Sequence, residues 1–238
     1  MDTFGMVPPD ASSLLDVGCN VGALLSDWHR RRPELRLAGV EVNAEALASA
    51  KRDLSFADLQ CAGAEALPFA DGSFECVTCT EVVEHVPPEL RAAAFREIHR
   101  VLRPGGRLVL TTPHAGLFAF ADSNNMRFRF GAVYRMVIRN GLRDRPYEGR
   151  GRAVEWHQHF TLEELLQLAG DGWNVVAVQR GGLFLYPLMD WLSWPFYRMG
   201  RSDHWLRRLF QRIAGWDYSV DFGRASYGIM IVLDKQTD

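Results

Sequence analysis

The chain has 238 residues, of which 47% are apolar, so it is long and apolar enough to bury one sizeable core. Its 27 basic and 29 acidic residues give a net charge of −2, and no nucleic-acid partner is expected. No run of about 18 apolar residues occurs, so no transmembrane segment is expected, although peripheral membrane contact stays open. The first residues, MDTFGMVPPD, lack the pattern of a secretory signal, and we expect a cytoplasmic protein.

The segment LLDVGCNVGALL, residues 14–25, combines features of a strand, a tight turn and a helix start. Its apolar beginning predicts a buried strand, and the residues after the turn predict a helix that ends before Pro33. Gly18 and Gly22 allow the backbone of the turn to approach a ligand closely. The start of the helix offers unpaired N–H groups, which favour a polar or anionic ligand group there.

The rest of the chain alternates strands and helices, which is typical of an α/β protein with a doubly wound, largely parallel sheet. One helix is predicted over residues 44–54, with Asn43 as its N-cap, and another over residues 88–102. Thr161 and Glu164 are predicted to form a capping box for a late helix. Seven strands are predicted, centred near Leu15, Val40, Gln60, Val77, Val109, Val176 and Met230.

Four cysteines occur in predicted strands or in the glycine-containing turn: Cys19, Cys61, Cys76 and Cys79. Cys76 and Cys79 have the C-x-x-C spacing that metal sites use, but three residues apart in a strand they point to opposite faces. We therefore interpret all four as small core residues in a reducing compartment.

An acidic residue, Glu41, follows the second predicted strand, nineteen residues after Gly22. A carboxylate in this position suits hydrogen bonds from both hydroxyls of a ribose. A dinucleotide fingerprint reads G-x-G-x-x-G, whereas this chain has Asn20 where the fingerprint has its second glycine. These observations favour a nucleoside-containing cofactor other than a dinucleotide.

Five segments resemble motifs of a single family, in the order of that family. LLDVGCNVGALL resembles motif I of the class I S-adenosylmethionine-dependent methyltransferases, with Asn20 in place of the middle glycine. The other segments are GVEVNAEAL (39–47), AEALPFADGSFECVTCTEVVEHV (64–86), FREIHRVLRPGGRLVLTTP (95–113) and HFTLEELLQLAGDGWNVVAV (159–178). The resemblance is to the ubiquinone- and menaquinone-biosynthesis group (methyltransferase type 11). It identifies the cofactor and leaves the acceptor open.

The resemblance implies a Rossmann-like, doubly wound seven-stranded sheet in the order 3-2-1-4-5-7-6, with an antiparallel last strand over residues 227–233. We expect a single methyltransferase domain over residues 1–238, with helical substrate-side insertions at 118–155 and 188–220. The first insertion carries eight arginines against four acids and is our first candidate to cover the cofactor.

In the second insertion, an amphipathic helix is predicted, and its basic pattern permits a role at a membrane interface. Its arginines, Arg207, Arg208 and Arg212, are predicted to lie opposite an apolar stripe. The stripe comprises Trp205, Leu206, Leu209, Phe210 and Ile213.

The resemblance also implies roles for residues around the cofactor, S-adenosyl-L-methionine. Asp16 and Gly18 are expected to hold its methionine amino end, and Glu41 its ribose hydroxyls, with Val42 against the adenine. The remaining expected contacts come from Cys19, Asn20, Gly22, Ala64, Glu65 and Thr80.

Glu81, Glu84 and His85 follow the fourth predicted strand, at the sheet edge where ligands bind in open α/β folds. Their spacing places them on one face if a helical turn forms. This E-x-x-E-H element resembles the metal-binding element of ubiquinone-pathway O-methyltransferases and of small-RNA 2′-O-methyltransferases. The latter add a histidine where this chain has His157 and His159. The candidate ligands of a divalent metal are therefore Glu81, Glu84, His85 and His157. The candidate catalytic residues are His85, His159 and His157 as general bases, together with Glu81.

The predicted function is S-adenosylmethionine-dependent methylation of an oxygen in a small-molecule or lipid-like acceptor. An oxygen nucleophile gains most from a general base or a metal, and the sequence offers candidates for both. The alternatives left open are N- or C-methylation of a metabolite, metal-dependent 2′-O-methylation of RNA, and S-adenosylmethionine binding without catalysis.

Overall fold

A computed structural model describes residues 1–122, 125, 157–198 and 204–237 of the chain. Seven strands form one sheet in the order β3-β2-β1-β4-β5-β7-β6, as predicted. The strands are β1 Ser13–Val17, β2 Arg36–Val40, β3 Ala57–Gln60, β4 Phe74–Thr80, β5 Leu102–Pro113, β6 Trp173–Gly181 and β7 Gly228–Lys235. The described α-helices are α1 Ala23–Arg31, α2 Ala44–Asp53, α3 Pro88–Val101, α4 Leu162–Ala169, α5 Leu185–Arg198 and α6 Trp205–Tyr218.

The first five strands in space are parallel, and the last strand in the chain runs against them. Strand β1 pairs in parallel with both β2 and β4, and β4 pairs in parallel with β5. The Lys235 ammonium group donates to the Leu102 carbonyl at the start of β5, whereas the His114 N–H, just after β5, donates to the Tyr227 carbonyl. The end of β7 therefore meets the start of β5, which confirms the antiparallel last strand.

The core of the sheet consists of apolar strands that are buried on both faces. Every residue of β1 is buried, and Leu14 and Leu15 are completely inaccessible to solvent. Such continuous apolar runs are expected for parallel strands that are covered by helices on both sides. Helix α2 begins as predicted, because the Asn43 side chain accepts hydrogen bonds from the N–H groups of Glu45 and Ala46.

The described residues divide into two compact units. The larger unit comprises the described residues of 2–112, 162–178 and 230–238 and contains most of the sheet with helices α1 to α4. The smaller unit comprises the described residues of 113–161 and 179–229 and contains helices α5 and α6. The eight arginines of the predicted insertion at 118–155 lie outside the described residues, so the expectation that this insertion covers the cofactor stays a prediction.

Helices α5 and α6 pack together as an antiparallel pair. The Tyr186 ring, near the start of α5, lies 4.6 Å from the Tyr218 ring at the end of α6. The Phe196 ring, near the end of α5, lies 4.8 Å from the His204 ring just before α6. None of the described helices is long and apolar enough to cross a membrane.

The predicted stripe on α6 is wrong, because its members lie on two different faces of the helix. Leu206, Phe210 and Ile213 are half-buried, whereas Trp205 and Leu209 are exposed. Residues three, four, seven and eleven positions after Trp205 share its face of the helix. We therefore define the α6 outer face as Trp205, Arg208, Leu209, Arg212 and Trp216, all of which are exposed.

A buried carboxylate fastens the end of α6 to the start of α5. Asp217 is 2% exposed, and one of its oxygens accepts hydrogen bonds from the N–H groups of Leu183 (2.8 Å) and Tyr186 (2.9 Å). These N–H groups lie beside the first turn of α5, where backbone donors have no partner within the helix. Asp217, the single acid of α6, therefore bonds to backbone N–H groups inside the protein and is not part of the exposed surface of the helix.

The cysteine interpretation is correct for three residues and wrong for one. Cys19, Cys76 and Cys79 are buried, and burial raises the pKa of Cys19 and of Cys76 to about 12, so these thiols stay protonated at neutral pH. Cys61 is exposed, because β3 ends at Gln60 and Cys61 begins the segment that follows.

Replacing Gly215 with alanine should stabilise the chain by about 0.5–1 kcal/mol. Gly215 lies within α6, and a Cβ atom added there would meet no atom within 4 Å. Gly182→Ala is the opposite control, because Gly182 has φ +76° and its Cβ would lie 3.0 Å from the Tyr218 ring. Urea denaturation would measure both variants, and a Gly215→Ala variant less stable than the parent would contradict the prediction.

Candidate active site

The turn after β1 has three residues with left-handed backbone: Gly18 (φ 78°), Asn20 (φ 49°) and Gly22 (φ 80°). Asparagine is among the few residues besides glycine that adopt this conformation readily, which explains how Asn20 replaces a glycine here. The N–H groups of Gly18 and Cys19 both donate to the Val40 carbonyl, at 2.9 and 3.0 Å. These bonds fix the turn against the end of β2.

Packing within the protein requires glycine at two of these positions. A Cβ atom on Gly18 would overlap the Val82 side chain, and one on Gly22 would overlap the Leu54 side chain beside α2. The sequence predicts close approach by a ligand at both glycines. The structure adds a second reason, since each glycine also lets another segment lie directly against the turn.

Glu41 joins the turn to the start of α2. One carboxylate oxygen accepts from the Asn20 N–H (3.0 Å), and the other accepts from the Asn43 N–H (2.8 Å). A carboxylate offers about four acceptor positions, so two further hydrogen bonds can still be accepted. Glu41 is half-buried and lies beside the turn, and its role in binding ribose hydroxyls stays a prediction.

Asp16 is a buried carboxylate in the middle of the sheet edge. It is 2% exposed, and its Oδ1 accepts a hydrogen bond from the Thr78 hydroxyl at 2.8 Å, in the register that pairs the two residues across β1 and β4. Burial raises the pKa of Asp16 from 3.8 to about 7; the Thr78 hydrogen bond lowers it, and the negative charge of Glu41 raises it. Asp16 therefore favours a cationic ligand group beside it.

Replacing Glu41 with alanine should weaken cofactor binding by about 1.5–3 kcal/mol, the scale of hydrogen bonds to a charged group. Two contributions act together, because the variant loses the acceptor for the ribose and also frees the N–H groups of Asn20 and Asn43. Isothermal titration with S-adenosylmethionine would measure the loss. Asp58→Ala, at a solvent-exposed position of β3, is the control that should bind normally. Unchanged affinity in Glu41→Ala would remove Glu41 from the ribose role.

The other predicted cofactor residues follow the carboxyl ends of neighbouring strands. Val42 is next to Glu41 after β2 and is 61% exposed, while Ala64 and Glu65 come after β3, with Ala64 buried. Thr80 is the last residue of β4 and pairs with Thr111 of β5. Because the carboxyl ends of parallel strands share one edge of a sheet, these residues lie along the edge where open α/β folds bind ligands.

Two acidic residues after β4 are held by two threonines at the end of β5. Glu81 has a left-handed backbone (φ 54°), and its carboxylate accepts a hydrogen bond from the Thr111 hydroxyl at 2.8 Å. The Glu84 carboxylate accepts from the Thr112 hydroxyl at 3.1 Å. No role for these threonines is predicted from the sequence. Two consecutive hydroxyl side chains at the end of a buried strand are nevertheless a signal that could have identified them as site residues.

The predicted single face for Glu81, Glu84 and His85 is wrong in part. Only residues Val83–His85 form a 3₁₀ turn, Glu84 is buried, and both Glu81 and His85 are exposed. Glu84 and His85 still bring ligand atoms within 4.8 Å of each other, so this pair could share a cation. The Thr111 hydroxyl holds Glu81 separately. The metal assignment stays a prediction.

The smaller unit brings His157 and His159 together around a buried carboxylate. His157 Nδ1 lies 2.6 Å from Asp122 Oδ2, and His159 Nε2 lies 3.2 Å from the same oxygen. The Asp122 side chain is 1% exposed, and the two imidazoles are 9% and 8% exposed. These three side chains place their ligand atoms within 4.8 Å of one another, so a divalent cation could also be held here.

An asparagine fixes the backbone of His157. The Asn125 side chain donates to the His157 carbonyl (2.7 Å) and accepts from the His157 N–H (2.8 Å), and Asn125 is completely buried. The buried His114, another histidine near the end of β5, instead bonds through Nδ1 to the Ser226 carbonyl at 2.9 Å. Sequence reasoning missed both Asp122 and Asn125 as site residues.

The strand order, the left-handed turn and the carboxylate at the end of β2 define a class I, Rossmann-like methyltransferase fold. Residues 15–110 match the family model described as a methyltransferase domain. Residues 15–110 of the chain therefore belong to this methyltransferase family.

Two curated relatives are similar over a large part of the chain. The ubiquinone/menaquinone biosynthesis C-methyltransferase UbiE of Desulfotalea psychrophila is 30% identical over 171 residues, 68% of this chain and 66% of the relative. The ubiquinone biosynthesis O-methyltransferase of Alkalilimnicola ehrlichii is 32% identical over 185 residues, 74% of this chain and 65% of the relative. The chain thus spans just under two thirds of the length of either relative.

A crystal structure of an S-adenosylmethionine-dependent methyltransferase from Methanosarcina mazei supports the fold. It is 18% identical, with a TM-score of 0.58, and the match covers 98% of this chain and 96% of the other. At this identity the likeness concerns the fold alone.

Proposed function

We propose that the chain methylates an oxygen atom of a small or lipid-like acceptor, with S-adenosylmethionine as methyl donor. The observation that carries the proposal is the buried Asp122–His157 pair, which can accept and stabilise a proton. The two curated relatives are described as a C-methyltransferase and an O-methyltransferase, so their names leave the acceptor atom open.

The residues of the larger unit fit the proposed cofactor. Asp16 is a carboxylate whose burial favours a nearby cation, which suits the ammonium group at the methionine end. Glu41 retains acceptor capacity for the ribose hydroxyls, and the exposed Val42 provides an apolar surface for the adenine. When bound, S-adenosylmethionine supplies an electrophilic methyl group on a sulfonium centre.

The Asp122–His157 pair of the smaller unit is suited to accept a proton. Asp122 accepts the Nδ1 proton of His157, which fixes the tautomer and leaves Nε2 as the nitrogen that takes a proton from the acceptor hydroxyl. The negative charge of Asp122 stabilises the imidazolium that forms. His159 Nε2 faces the same carboxylate oxygen, at 3.2 Å.

An oxygen acceptor explains this arrangement better than the alternatives do. An amine can lose its proton after methyl transfer, whereas a hydroxyl becomes a strong nucleophile only as its proton leaves. A non-catalytic binding module has no need for a carboxylate and two imidazoles buried together. Methylation at carbon stays open to test.

The proposal is tested by turnover of a labelled methyl donor against quinol, phenol, sugar and lipid-like acceptors, with and without EDTA. We expect an O-methylated product, identified by NMR, and a rate that EDTA leaves unchanged. A C- or N-methylated product would contradict the proposed acceptor atom. Loss of activity in EDTA, restored by a divalent cation, would replace the base mechanism with the predicted metal site.

Calorimetric titration with S-adenosylmethionine and with NAD tests the cofactor separately. Binding of NAD instead of S-adenosylmethionine would overturn the cofactor assignment itself. Cofactor binding without turnover of any acceptor would favour the binding-module alternative.

A further inference from the structure

The α6 outer face exposes an unusually large aromatic surface. Trp205 is 66% exposed, Trp216 is 64% exposed, and Leu209 between them is 43% exposed. Tryptophan normally buries most of its large apolar surface or places it at an interface. Two exposed tryptophans on one face of a helix therefore point to a binding surface.

Among the described residues, the contacts of α6 with α5 come from the other face of α6. The half-buried face of α6 carries Leu206, Phe210 and Ile213. The centroid of the Phe210 ring lies 6.3 Å from that of the Phe196 ring of α5. The buried Asp217 at the end of this inner face bonds to the backbone beside α5. The helix pair is thus held together by residues other than the two tryptophans.

The charges on the α6 outer face have one sign. Arg208 and Arg212 are exposed beside Trp205, Leu209 and Trp216, and the one acid of α6, Asp217, is buried. Helices that lie in a membrane surface combine tryptophan and leucine with flanking basic residues. The tryptophan ring suits the boundary between headgroups and acyl chains, and arginine pairs with lipid phosphates.

We propose that the α6 outer face docks on a bilayer surface that contains anionic phospholipids. The helix lies parallel to the surface, with the two tryptophans and Leu209 inserted at the headgroup boundary and with Arg212 paired with a phosphate. This inference is independent of the proposed catalytic reaction, because it concerns binding alone. It provides a route by which a lipid-like acceptor would be met at its own membrane.

The test is co-sedimentation of the full chain with vesicles of phosphatidylcholine, with or without phosphatidylglycerol. We expect binding to the phosphatidylglycerol vesicles that weakens with added salt. The double variant Trp205→Ser/Trp216→Ser and the variant Arg212→Glu should each weaken it by about tenfold or more. Val175→Ser/Val176→Ser is the matched control, because these exposed valines lie on β6 in the other unit.

Circular dichroism and cofactor titration would show that each variant is folded. Absence of vesicle binding, or binding that the tryptophan variants leave unchanged, would overturn the proposal. Equal binding to pure phosphatidylcholine would overturn the anionic component. Self-association that disappears in the tryptophan variants, with no vesicle binding, would identify the face as an interface between copies of the chain.

Discussion

The Asp122→Asn variant should lower methyl-transfer turnover by about 10²–10⁴ while S-adenosylmethionine binds with unchanged affinity. An asparagine can keep the hydrogen bond to His157, but its amide cannot stabilise an imidazolium as a carboxylate does. It also allows the other tautomer of His157, in which Nδ1 accepts a hydrogen bond from the asparagine amide and Nε2 carries the proton. Because the affected step is proton removal, the loss should appear in kcat.

Two further variants test whether Asp122 and His157 act together: His157→Gln and the double variant Asp122→Asn/His157→Gln. If the two residues act as one unit, the double variant should be no slower than the slower single variant. His29→Gln, on α1, is the control. Normal turnover in Asp122→Asn would contradict the assignment of the Asp122–His157 pair as the general base.

The Asp16→Asn variant should have opposite effects on stability and on cofactor binding. The pKa of Asp16 is raised from 3.8 to about 7 in the folded chain, chiefly by burial. Between these pH values the folded chain binds a proton that the unfolded chain has released, so the free energy of unfolding falls as the pH rises through this window. Above neutral pH the ionised side chain costs the folded chain at most about 4 kcal/mol. Asparagine removes that cost.

Cofactor binding should show the complementary dependence on pH. If the ionised form of Asp16 holds the ammonium group, affinity for S-adenosylmethionine should rise as the pH is raised from 5 to about 7 and then level off. Asp16→Asn should bind weakly at every pH. Thr78→Val, which removes the hydrogen bond that lowers the pKa of Asp16, should move the profile to higher pH.

Thermal unfolding of the cofactor-free chain and calorimetric titration across pH would measure both effects. An Asp16→Asn variant that is less stable than the parent at pH 8 would contradict the argument from burial. A variant that still binds S-adenosylmethionine with the parent affinity would remove Asp16 from the cofactor site.

The sheet and the cofactor edge were predictable because their signals are local. A strand, a glycine turn and a helix start occur within twelve residues of LLDVGCNVGALL, and Glu41 follows the next strand directly. Helix caps and the alternation of strands and helices can also be predicted from short stretches of sequence, as the Asn43 cap shows. Glu41 therefore lies where the sequence predicted, although its bonds to the N–H groups of Asn20 and Asn43 could not be foreseen.

The site in the smaller unit was only partly predictable, because its contacts join distant positions. Asp122 and His157 are 35 residues apart, and no spacing rule connects them. The two histidines stood out as bases, while nothing in the sequence distinguishes Asp122 from the other acids of the insertion at 118–155. The faces of α6 were misassigned for a related reason. An apolar pattern shows that a helix is amphipathic, but the packing of α5 decides which apolar residues are covered.

The position of β7 has a consequence for how the chain folds. This strand is the last in sequence, is buried over most of its length, and lies between β5 and β6. While β7 is still being synthesised, β6 has no neighbour in the sheet and β5 presents an open edge. Such an edge can pair with another nascent chain. Rapid synthesis of β7 after β5, or a chaperone that covers β5, should therefore determine how much of this protein escapes aggregation in the cell.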